Sequence, residues 1–324
     1  MLFTKKRNFG VTQRDFLKEA ALGYLNLCKV QTNIGYTANN ATSIDENKKI
    51  ALKKCYSEYL ERYSLGINIE SKKSVKVLNR IEKKLKNNYL SAFAYGNSVT
   101  GHNDTTGTAA GLHSDIIINK AVCELVEKNE VFCFWYSNNG KVIEPNNYIK
   151  NIINKLNFVS TNFFCFCSQE ISNYPTVIVL GFLHERLITT GVSCTDNMYS
   201  SLQNAFQEAK IVEWQQFKNP ESNYTFFSDI DHKIFWDLMM HKQTILKRCN
   251  LDDKIYTKMV FTKWVRDIQI RLIFEDRRLG VKVVKCISNE LLSCVPIKKN
   301  IDCSPNKEIV KRYYLDQSID CPIV

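Results

Sequence analysis

The sequence predicts a mixed α/β (α+β) protein on three observations. Apolar residues make up 44% of the 324 residues and charged residues 24%, proportions typical of a globular chain with a full hydrophobic core. Two apolar runs bounded by polar turns, NFFCFC at 162–167 and PTVIVLGFL at 175–183, have the β-branched and aromatic composition of strands. Segments with helical spacing of apolar residues interleave with these strands, which favours an α/β or α+β class.

The N-terminal part is predicted to be helical. Residues 1–45 are interpreted as a short helix, from Thr12 to about Leu27, followed by a polar connection rich in Asn and Thr. The rest of the chain, 46–324, is expected to form one intimate unit, because no convincing linker interrupts it. Its first helix should run from Glu46 to about Tyr63.

Further helices and strands are predicted in order along the chain. The Lys-rich stretch 71–90 is predicted to be an amphipathic helix. The apolar residues at near-helical spacing in it are Val75, Leu78, Ile81 and Leu85. A Gly-, Thr- and Asn-rich loop at 96–111 should lead into a helix that ends near Trp135. A Thr-Thr-Gly turn at 189–191 should precede a helix ending near Phe217, and VKVVKCI at 281–287 should be a strand ahead of a polar tail.

Charge, cysteine spacing and the distribution of apolar residues exclude several classes of protein. The net charge is +11, but Lys outnumbers Arg and is spread along the chain, so we expect no specific nucleic-acid partner. A stretch that mixes aromatic residues with Arg, 261–278, is interpreted as core plus solvated charges. The 12 cysteines contain no CxxC pair, which favours reduced thiols. With no signal-like segment and no long apolar run, the sequence predicts a cytoplasmic protein without membrane contact.

A small residue followed three positions later by Glu recurs in three predicted helices. The three pairs are Cys55 with Glu58, Ala121 with Glu124, and Ala205 with Glu208. In the last two copies a Thr-Gly pair precedes the Glu by the same interval of 17 residues, from Gly107 to Glu124 and from Gly191 to Glu208. One such pair usually marks a solvated helix face, whereas three copies favour a shared role.

In two of these three helices a second Glu follows one helical turn later, and this pairing of carboxylates suggests a chemical role. Glu61 follows Glu58 and Glu127 follows Glu124, and residues three apart share a helix face. Adjacent carboxylates on a buried helix are unfavourable without a cation. Arg62 and Lys128 could supply it, or a hard metal such as Mg²⁺, which prefers a few carboxylates together with phosphate oxygens and water. The predicted metal ligands are Glu58, Glu61, Glu124, Glu127 and Glu208.

The loop TGTAAG at 106–111 allows two interpretations. Its Gly107 and Gly111 could cradle phosphate, since a Gly-rich loop that enters a helix N-terminus offers N–H donors to anions. It fits neither standard phosphate-loop motif, and a tight turn explains it as well. No His pair has zinc-ligand spacing, and the alternating Cys165 and Cys167 are interpreted as core residues of a strand.

Three segments resemble the YcaO-domain family. Residues 106–136, TGTAAGLHSDIIINKAVCELVEKNEVFCFWY, are similar to its central ATP-site segment, with a Gly/Ala-rich turn and an Ala-x-x-Glu-x-x-Glu core. YSEYLER at 56–62 resembles the first motif, in which Glu, Glu and Arg serve Mg-ATP, and 189–208 resembles the approach to the third. The resemblance covers roughly 40–290 and is closest to the cyclodehydratase subunit of microcin-type azole synthetases.

The resemblance implies a YcaO-like fold, with mixed sheets and helices around a site for ATP and Mg²⁺. It implies ATP-dependent cyclodehydration of Cys, Ser or Thr in a ribosomally made precursor peptide, giving thiazoline or oxazoline. It also implies a leader-peptide-binding partner protein and, in many systems, a flavin dehydrogenase. The five glutamates would hold Mg²⁺. The nucleotide would be bound with the help of Arg62, Lys128, Gly107, Gly111 and Lys285.

The chain departs from the family pattern at several positions. Lys128 and Lys285 stand where Arg is expected, Ile211 replaces a polar residue three after Glu208, and the C-terminal Pro-rich end is reduced to Pro322. These departures leave open a catalytically reduced scaffold subunit. Backbone thioamidation, which uses the same amide activation with a sulfur donor, is the alternative within the enzyme class. A nucleic-acid binder is the outside alternative.

Overall fold

A computed structural model describes residues 9–12, 21–26, 29, 31–32, 35–36, 40–67, 74–98, 101–218, 227–315 and 319–323. The helices in this part of the chain are α1 (Lys48–Ile67), α2 (Ser114–Tyr136), α3 (Asn147–Leu156), α4 (Met198–Lys218), α5 (Asp229–Ile245), α6 (Lys298–Asp302) and α7 (Glu308–Tyr313). The strands are β1 (Phe9–Thr12), β2 (Ala21–Asn26), β3 (Gln31–Thr32), β4 (Gly35–Tyr36), β5 (Asn40–Asp45), β6 (Ser74–Asn79), β7 (Lys84–Tyr89), β8 (Gly96–Ser98), β9 (Gly101–Asn103), β10 (Thr108–Gly111), β11 (Lys141–Ile143), β12 (Asn162–Ser168), β13 (Thr176–Leu183), β14 (Arg186–Cys194), β15 (Lys247–Cys249), β16 (Gln269–Asp276) and β17 (Val281–Ile287).

Three sheets contain most of these strands. The first sheet has the order β1-β2-β5 and the second the order β10-β17-β16-β6-β7, both antiparallel. The third sheet has the order β14-β13-β12-β11-β15 and is antiparallel except for its β11–β15 pair. Antiparallel sheets covered by helices confirm the predicted α+β class.

Alternate residues of β12 face two different hydrophobic cores. Phe164 and Phe166 pack with α2 and α5 on one side of the third sheet. Cys165 and Cys167 pack with α3 and α4 on the other side. This follows from the period of two in a strand, and it confirms that the two cysteines are core residues. The 11 cysteines of the described residues are all free thiols.

Helix α2 lies between the second and third sheets and packs against β10, β17 and β14. Residues on opposite sides of the helix, such as Val122 and Val131, or Leu125 and Phe134, are each 0% exposed. The helix is therefore buried, as its apolar residues on nearly all sides predict. A carboxylate on such a helix lies among packed side chains wherever it does not open onto a cleft.

The predicted N-terminal helix is wrong where the structure describes it. Ala21–Asn26 is strand β2 and Asn40–Asp45 is strand β5, paired to each other with Leu22 opposite Ile44. A Cβ on Gly23 would lie 3.1 Å from the carbonyl carbon of Ala51 in α1. The first sheet thus lies so close to α1 that a side chain at Gly23 would force a shift of a few tenths of an ångström, and tertiary packing overrides the local helical spacing.

The Lys-rich helix predicted at 71–90 is also wrong, because 74–89 forms the β6–β7 hairpin. Val77 and Asn79 face inwards and are 1% and 0% exposed, whereas Leu78 and Leu85, paired across the strands, are 38% and 68% exposed. The Asn79 side chain closes the turn by accepting the N–H of Ile81 at 3.0 Å. Leu78, Ile81 and Leu85 are therefore exposed on the hairpin, whereas Val75 packs beside Val77 on its inward face.

Two predicted loops are largely strands. The segment 96–111 contains β8, β9 and β10, and the Thr-Thr-Gly sequence at 189–191 lies inside β14. Other elements are confirmed, namely the helices that begin near Glu46, end near Trp135 and end near Phe217, and the strands near 162–167, 175–183 and 281–287. Among the described residues no helix combines the length and the hydropathy needed to cross a bilayer.

Strand β14 and helix α4 are in direct backbone contact at Gly191. A Cβ on Gly191 would lie 2.0 Å from the carbonyl oxygen of Ala205 and 2.5 Å from the amide nitrogen of Ala209. Real Cβ atoms do not approach backbone so closely, so any side chain here must push the strand and the helix apart. The contact therefore fixes how far α4 lies from the edge of the third sheet.

We predict that Gly191→Ala lowers the free energy of unfolding by about 3 kcal/mol, since a rigid backbone cannot move aside for the methyl group. Gly280→Ala is the control. Gly280 has φ 66°, and no atom lies within 4 Å of the position that a methyl group would take, so the same change costs only about 1–2 kcal/mol of left-handed backbone strain. Urea denaturation of both variants measures the difference. Equal destabilisation would contradict the close contact.

Candidate functional site

A cleft of about 590 Å³ opens where α1, α2 and α4 meet beside β14. Its walls contain all five glutamates predicted as metal ligands: Glu58, Glu61, Glu124, Glu127 and Glu208. Lys128 lines the same cleft. The volume is within the range of small-molecule sites. The structure thus brings carboxylates from three helices together, and their binding of a metal stays a prediction.

Backbone amides of β14 hold two of these carboxylates. The N–H of Val192 donates to Glu208 Oε2 at 2.8 Å, and the N–H of Cys194 donates to Glu127 Oε2 at 3.2 Å. Because β14 is an edge strand of the third sheet, its outward amides have no partner strand and are available to side chains. The sheet edge thereby orients both carboxylates at the cleft.

Edge strands of the other two sheets do the same for the carboxylates of α1. The N–H of Ala110, in β10, donates to Glu61 Oε1 at 2.9 Å. The N–H of Thr42, in β5, donates to Glu58 Oε2 at 3.3 Å. Strand β10 ends the second sheet and β5 ends the first. Four of the five glutamates therefore each accept a hydrogen bond from the main chain of an edge strand.

The small residue of the sequence repeat makes this arrangement possible in α1 and α4. Cys55 lies one turn before Glu58, and its sulfur is 3.3 Å from Ser43 Oγ of β5. Ala205 lies one turn before Glu208 and touches Gly191 of β14. In both places a small side chain lets an edge strand lie close enough for its amide to reach the next Glu.

Three cations partly compensate the carboxylates. Lys128 Nζ lies 3.4 Å from Glu127 Oε1, and Lys120 Nζ lies 3.2 Å from Glu61 Oε1. Arg62 Nη2 lies 2.5 Å from Glu58 Oε1 and the guanidinium also donates to the Asn40 carbonyl. Arg62 does not line the cleft, so its charge acts through Glu58.

Glu124 is the least compensated of the five. None of the described residues donates a hydrogen bond to its carboxylate, although it lines the cleft. Burial raises its pKa well above the ordinary value, and the carboxylates of Glu61 and Glu127 raise it further. Its charge therefore requires a proton or a cation that the surrounding protein supplies only in part.

The pKa values of three neighbouring carboxyl groups are raised as well. Burial raises the pKa of Glu127 to about 8, with Glu208 adding to the effect and Lys128 opposing it. Burial also raises the pKa of Glu58 and Glu208. Burial alone would lower the pKa of the Lys128 ammonium, but Glu127, Glu208 and Glu124 outweigh it and raise that pKa. The cleft has an excess of negative charge.

The donor set fits a hard divalent cation together with phosphate. Carboxylate oxygens suit Mg²⁺ better than the softer transition metals. No three of the described acidic, His or Cys side chains lie close enough to hold a metal by themselves. Mg²⁺ does not need such a cage, because it binds through one or two carboxylates and keeps phosphate oxygens and waters as its other ligands.

Besides Arg62, three further residues predicted to bind nucleotide lie apart from the cleft lining, namely Gly107, Gly111 and Lys285. Gly107 directly precedes the edge strand β10, and Gly111 is the last residue of that strand. A Cβ on Gly107 would lie 2.7 Å from the Cys286 carbonyl oxygen, and a Cβ on Gly111 would lie 2.8 Å from a side-chain carbon of Ile117. Lys285 is 0% exposed and donates to the carbonyl oxygen of Asp104 at 2.6 Å. Gly107 permits a close approach to the backbone of β17, Gly111 leaves room for the Ile117 side chain, and the Lys285 ammonium forms its hydrogen bonds inside the protein.

Sequence reasoning missed several residues that line the cleft: Asn119, Lys120, Cys123, Tyr174, Val192, Ser193, Cys194, Thr195, Asp196 and Asn204. A signal existed for Lys120, which lies four residues before Glu124 and therefore on the same helix face. Asp196 lies in the short segment between β14 and α4, and only the pairing of β14 places it beside the carboxylates.

Two further buried glutamates have a structural role. Glu130 accepts from Ser168 Oγ at 2.6 Å and from the N–H of Ile171 at 2.6 Å. Glu213 accepts from Lys210 Nζ at 2.6 Å and from the N–H of Ser160 at 2.9 Å. Both carboxylates are fully hydrogen-bonded away from the cleft, and they tie loops to α2 and α4.

Solved structures resemble the fold over most of its length. YcaO from Methanopyrus kandleri bound with AMPPCP and Mg²⁺ superposes with a TM-score of 0.69 at 10% identity, covering 90% of this chain and 87% of that one. The E. coli microcin synthetase McbBCD complex with pro-MccB17 bound gives 0.59 at 12% identity, covering 88% of each chain. A heterocyclase in complex with substrate and cofactor gives 0.63 at 12% identity, covering 97% of this chain and 54% of that one.

No protein-family model matches the chain, and the search of curated proteins found no significant match. At these identities the structural similarity establishes the fold alone. This structural similarity identifies the chain as having the YcaO fold.

Proposed function

We propose that the chain is an ATP-dependent, YcaO-type enzyme that activates backbone amides of a peptide. We propose cyclodehydration as its reaction, in which the side-chain sulfur or oxygen of Cys, Ser or Thr attacks the preceding carbonyl carbon. The amide oxygen leaves as phosphate, and a thiazoline or oxazoline ring remains. The observation that supports this most is the convergence of five carboxylates, from three helices, on one cleft.

The proposed roles of the residues follow from their contacts. Mg²⁺-ATP, when bound, supplies the phosphoryl group. Glu124, without a hydrogen-bond donor, and Glu127 would meet the divalent cation directly. The amides of Val192 and Cys194 keep Glu208 and Glu127 in place, so little reorganisation is needed on binding. The Lys128 ammonium, 9% exposed and facing the cleft, would neutralise phosphate oxygens.

The proposal includes protein partners. The E. coli neighbour is a complex, McbBCD, with pro-MccB17 bound. We propose that this chain likewise acts on a ribosomally made precursor peptide together with a leader-binding partner protein. A flavin dehydrogenase, implied only by the sequence resemblance, would act after ring formation.

A catalytically reduced scaffold subunit is the second candidate, and two observations favour it. Ile211, where a polar residue is expected, packs against the core around α3 and α4. The C-terminal residues Cys321 and Ile323 are 3% and 1% exposed, and 319–323 do not line the cleft. Position 211 therefore contributes no polar group to the cleft, and neither do residues 319–323.

We predict opposite effects of Glu124→Gln on stability and on binding. Without Mg²⁺ the variant should be more stable by about 1 kcal/mol, because it removes an uncompensated charge. With Mg²⁺-ATP its affinity should fall at least about tenfold, which is about 1.4 kcal/mol. Thermal unfolding with and without Mg²⁺, and calorimetry with ATP, measure the two effects.

Glu185→Gln is the matched control for this test. Glu185 is exposed in the turn between β13 and β14 and lies outside the cleft, so the same chemical change should leave both measurements unaltered. A Glu124→Gln variant that binds Mg²⁺-ATP as tightly as the unchanged chain would sink the proposed metal site.

We predict that Lys128→Met lowers the free energy of unfolding by about 3 kcal/mol without Mg²⁺, because it leaves Glu127 and Glu208 without their shared cation. Lys128→Arg should restore most of the stability, since the charge returns. Urea denaturation with and without Mg²⁺ compares the two variants. Mg²⁺ should reduce the loss of stability caused by Lys128→Met. A loss of the same size with and without Mg²⁺ would argue against a shared electrostatic site.

The reaction itself is tested with purified chain, partner protein, precursor peptide and ATP. Mass spectrometry should show the loss of one water for each ring formed. Replacement of oxygen by sulfur would indicate thioamidation instead. Absence of ATP binding in calorimetry, with partner binding intact, would favour the scaffold. Salt-sensitive binding to nucleic acid that ATP does not change would favour a nucleic-acid-binding protein instead.

A further inference from the structure

A second groove, of about 550 Å³, lies between the β6–β7 turn and the segment 258–266. Five cationic side chains and one carboxylate line it: Arg80, Lys83, Lys258, Lys263, Arg266 and Glu82. We call it the basic groove. It unites two segments that the sequence singles out separately, the Lys-rich stretch 71–90 and the stretch 261–278 with mixed aromatic residues and Arg. Neither is used by the acidic cleft.

The hairpin side of the basic groove is held rigidly. Asn79 is fully buried and accepts from the amides of Ile81 and Glu82 at 3.0 and 3.2 Å. The N–H of Arg80 donates to the Ile268 carbonyl at 2.8 Å. Lys83 completes the turn with φ 57°. The side chains of this turn therefore extend from a fixed backbone.

The opposite side is tied to the segment that joins β12 to β13. Asn173 accepts the N–H of Val260 at 2.7 Å through its side chain and donates to the Lys258 carbonyl at 3.1 Å. The N–H of Thr262 donates to the Ile171 carbonyl at 3.0 Å. A groove whose two sides are fixed before binding loses little entropy when a ligand orders in it.

The cations of the basic groove are largely uncompensated. Within the described ranges of the chain, Lys83, Lys258, Lys263 and Arg266 form no ion pair with a carboxylate, and all four are exposed. The single acid, Glu82, is paired with Lys86 at 3.0 Å. The local potential is therefore positive, and an anionic partner is attracted to it.

The basic groove adjoins the acidic cleft. Arg80 Nη2 donates to Asn119 Oδ1 at 2.6 Å, and Asn119 lines the cleft. Tyr174, another cleft residue, directly follows Asn173, which holds the far side of the groove. A chain lying in the groove would therefore continue towards the carboxylates without leaving the protein surface.

The groove has apolar as well as cationic walls. Ile81 and Val260 are 37% and 58% exposed, and Met259 and Val265 also line the groove. Nucleic-acid binders place exposed aromatic rings for base stacking, whereas Phe261, the one aromatic side chain among the described residues that line this groove, is half-buried. Mixed aliphatic and cationic walls match a peptide with alternating acidic and apolar residues better than they match RNA.

We propose that the basic groove binds an acidic, partly apolar segment of the peptide whose amides are processed in the adjoining cleft. The identity of this peptide as the substrate rests on the proposed function. The groove selects the segment by charge and by its aliphatic side chains, and it leads the following residues past Arg80 and Asn119 into the cleft. It is a specificity-determining surface and contributes no group to the chemistry.

The test uses the full chain and a fluorescein-labelled peptide of alternating Glu and Leu, read by fluorescence anisotropy without nucleotide. The unchanged chain should bind this peptide with an affinity that falls as salt rises. The double variant K258E/K263E should bind it at least about tenfold more weakly, because two attractions become repulsions. A Lys-Leu peptide of the same length should bind the unchanged chain more weakly than the Glu-Leu peptide.

The matched control is K150E/K233E, which makes the same change in net charge at two exposed lysines outside the groove. It should bind the Glu-Leu peptide within about twofold of the unchanged chain. Far-UV circular dichroism spectra should be the same for all three proteins, which shows that the groove variant is folded whether or not the chain binds Mg²⁺-ATP. Equal loss of peptide binding in both double variants would overturn the proposal.

Oligouridylate provides the alternative anionic probe. If it binds the unchanged chain more tightly than the Glu-Leu peptide and is lost in K258E/K263E, the groove serves nucleic acid and the proposal fails. A chain that binds the Glu-Leu peptide in the groove but not Mg²⁺-ATP supports the groove and counts only against the proposed enzyme.

Discussion

Five carboxylates held against their mutual repulsion are the constraint around which this protein is organised. Backbone amides from the edge strands of three separate sheets hold four of them, Glu58 through β5, Glu61 through β10, and Glu127 and Glu208 through β14. An edge amide is a donor that the sheet leaves unused, and a buried carboxylate is an acceptor that requires one. Each sheet therefore provides an acceptor for an N–H group of its edge strand, and the same hydrogen bond orients a carboxylate of the site.

This arrangement imposes demands on packing far from the carboxylate oxygens. An amide can reach the Glu only if its strand lies almost against the helix, which is why Gly191 touches Ala205 and why Cys55 lies beside Ser43. These hydrogen bonds do not compensate all of the negative charge, and Glu124 is compensated least. Burial raises the pKa of Glu124, and the neighbouring carboxylates raise it further. A cleft with uncompensated carboxylates is suited to a divalent cation and its phosphate.

The acidic cleft and the basic groove together give the chain opposite potentials on adjoining surfaces. The net charge of +11 conceals this, because a sum over the sequence does not record where charges meet. Lys83 lies on one side of the groove because Asn79 closes the β6–β7 turn. Lys258 and Lys263 lie on the other side because Asn173 holds the segment that contains them. The stretch 261–278 combines core residues such as Val265 and Ile268 with the exposed charges of Lys263 and Arg266, whereas Asp267 is buried. The position of the exposed charges opposite the hairpin is a tertiary property.

The sequence by itself determined the α+β class, the helices that carry the glutamates, the buried character of α2 and the five carboxylates that share a cleft, because helical periodicity and the spacing of Cys55-x-x-Glu58, Ala121-x-x-Glu124 and Ala205-x-x-Glu208 are local. It did not determine the first sheet or the β6–β7 hairpin, where short alternating segments with Lys and Leu also fit a helical period. Nor did it determine the surroundings of Gly107, Gly191 and Lys285, which lie against the main chain of other segments. Only tertiary structure decided these points, since strand pairing and close backbone contact join residues that no sequence interval relates.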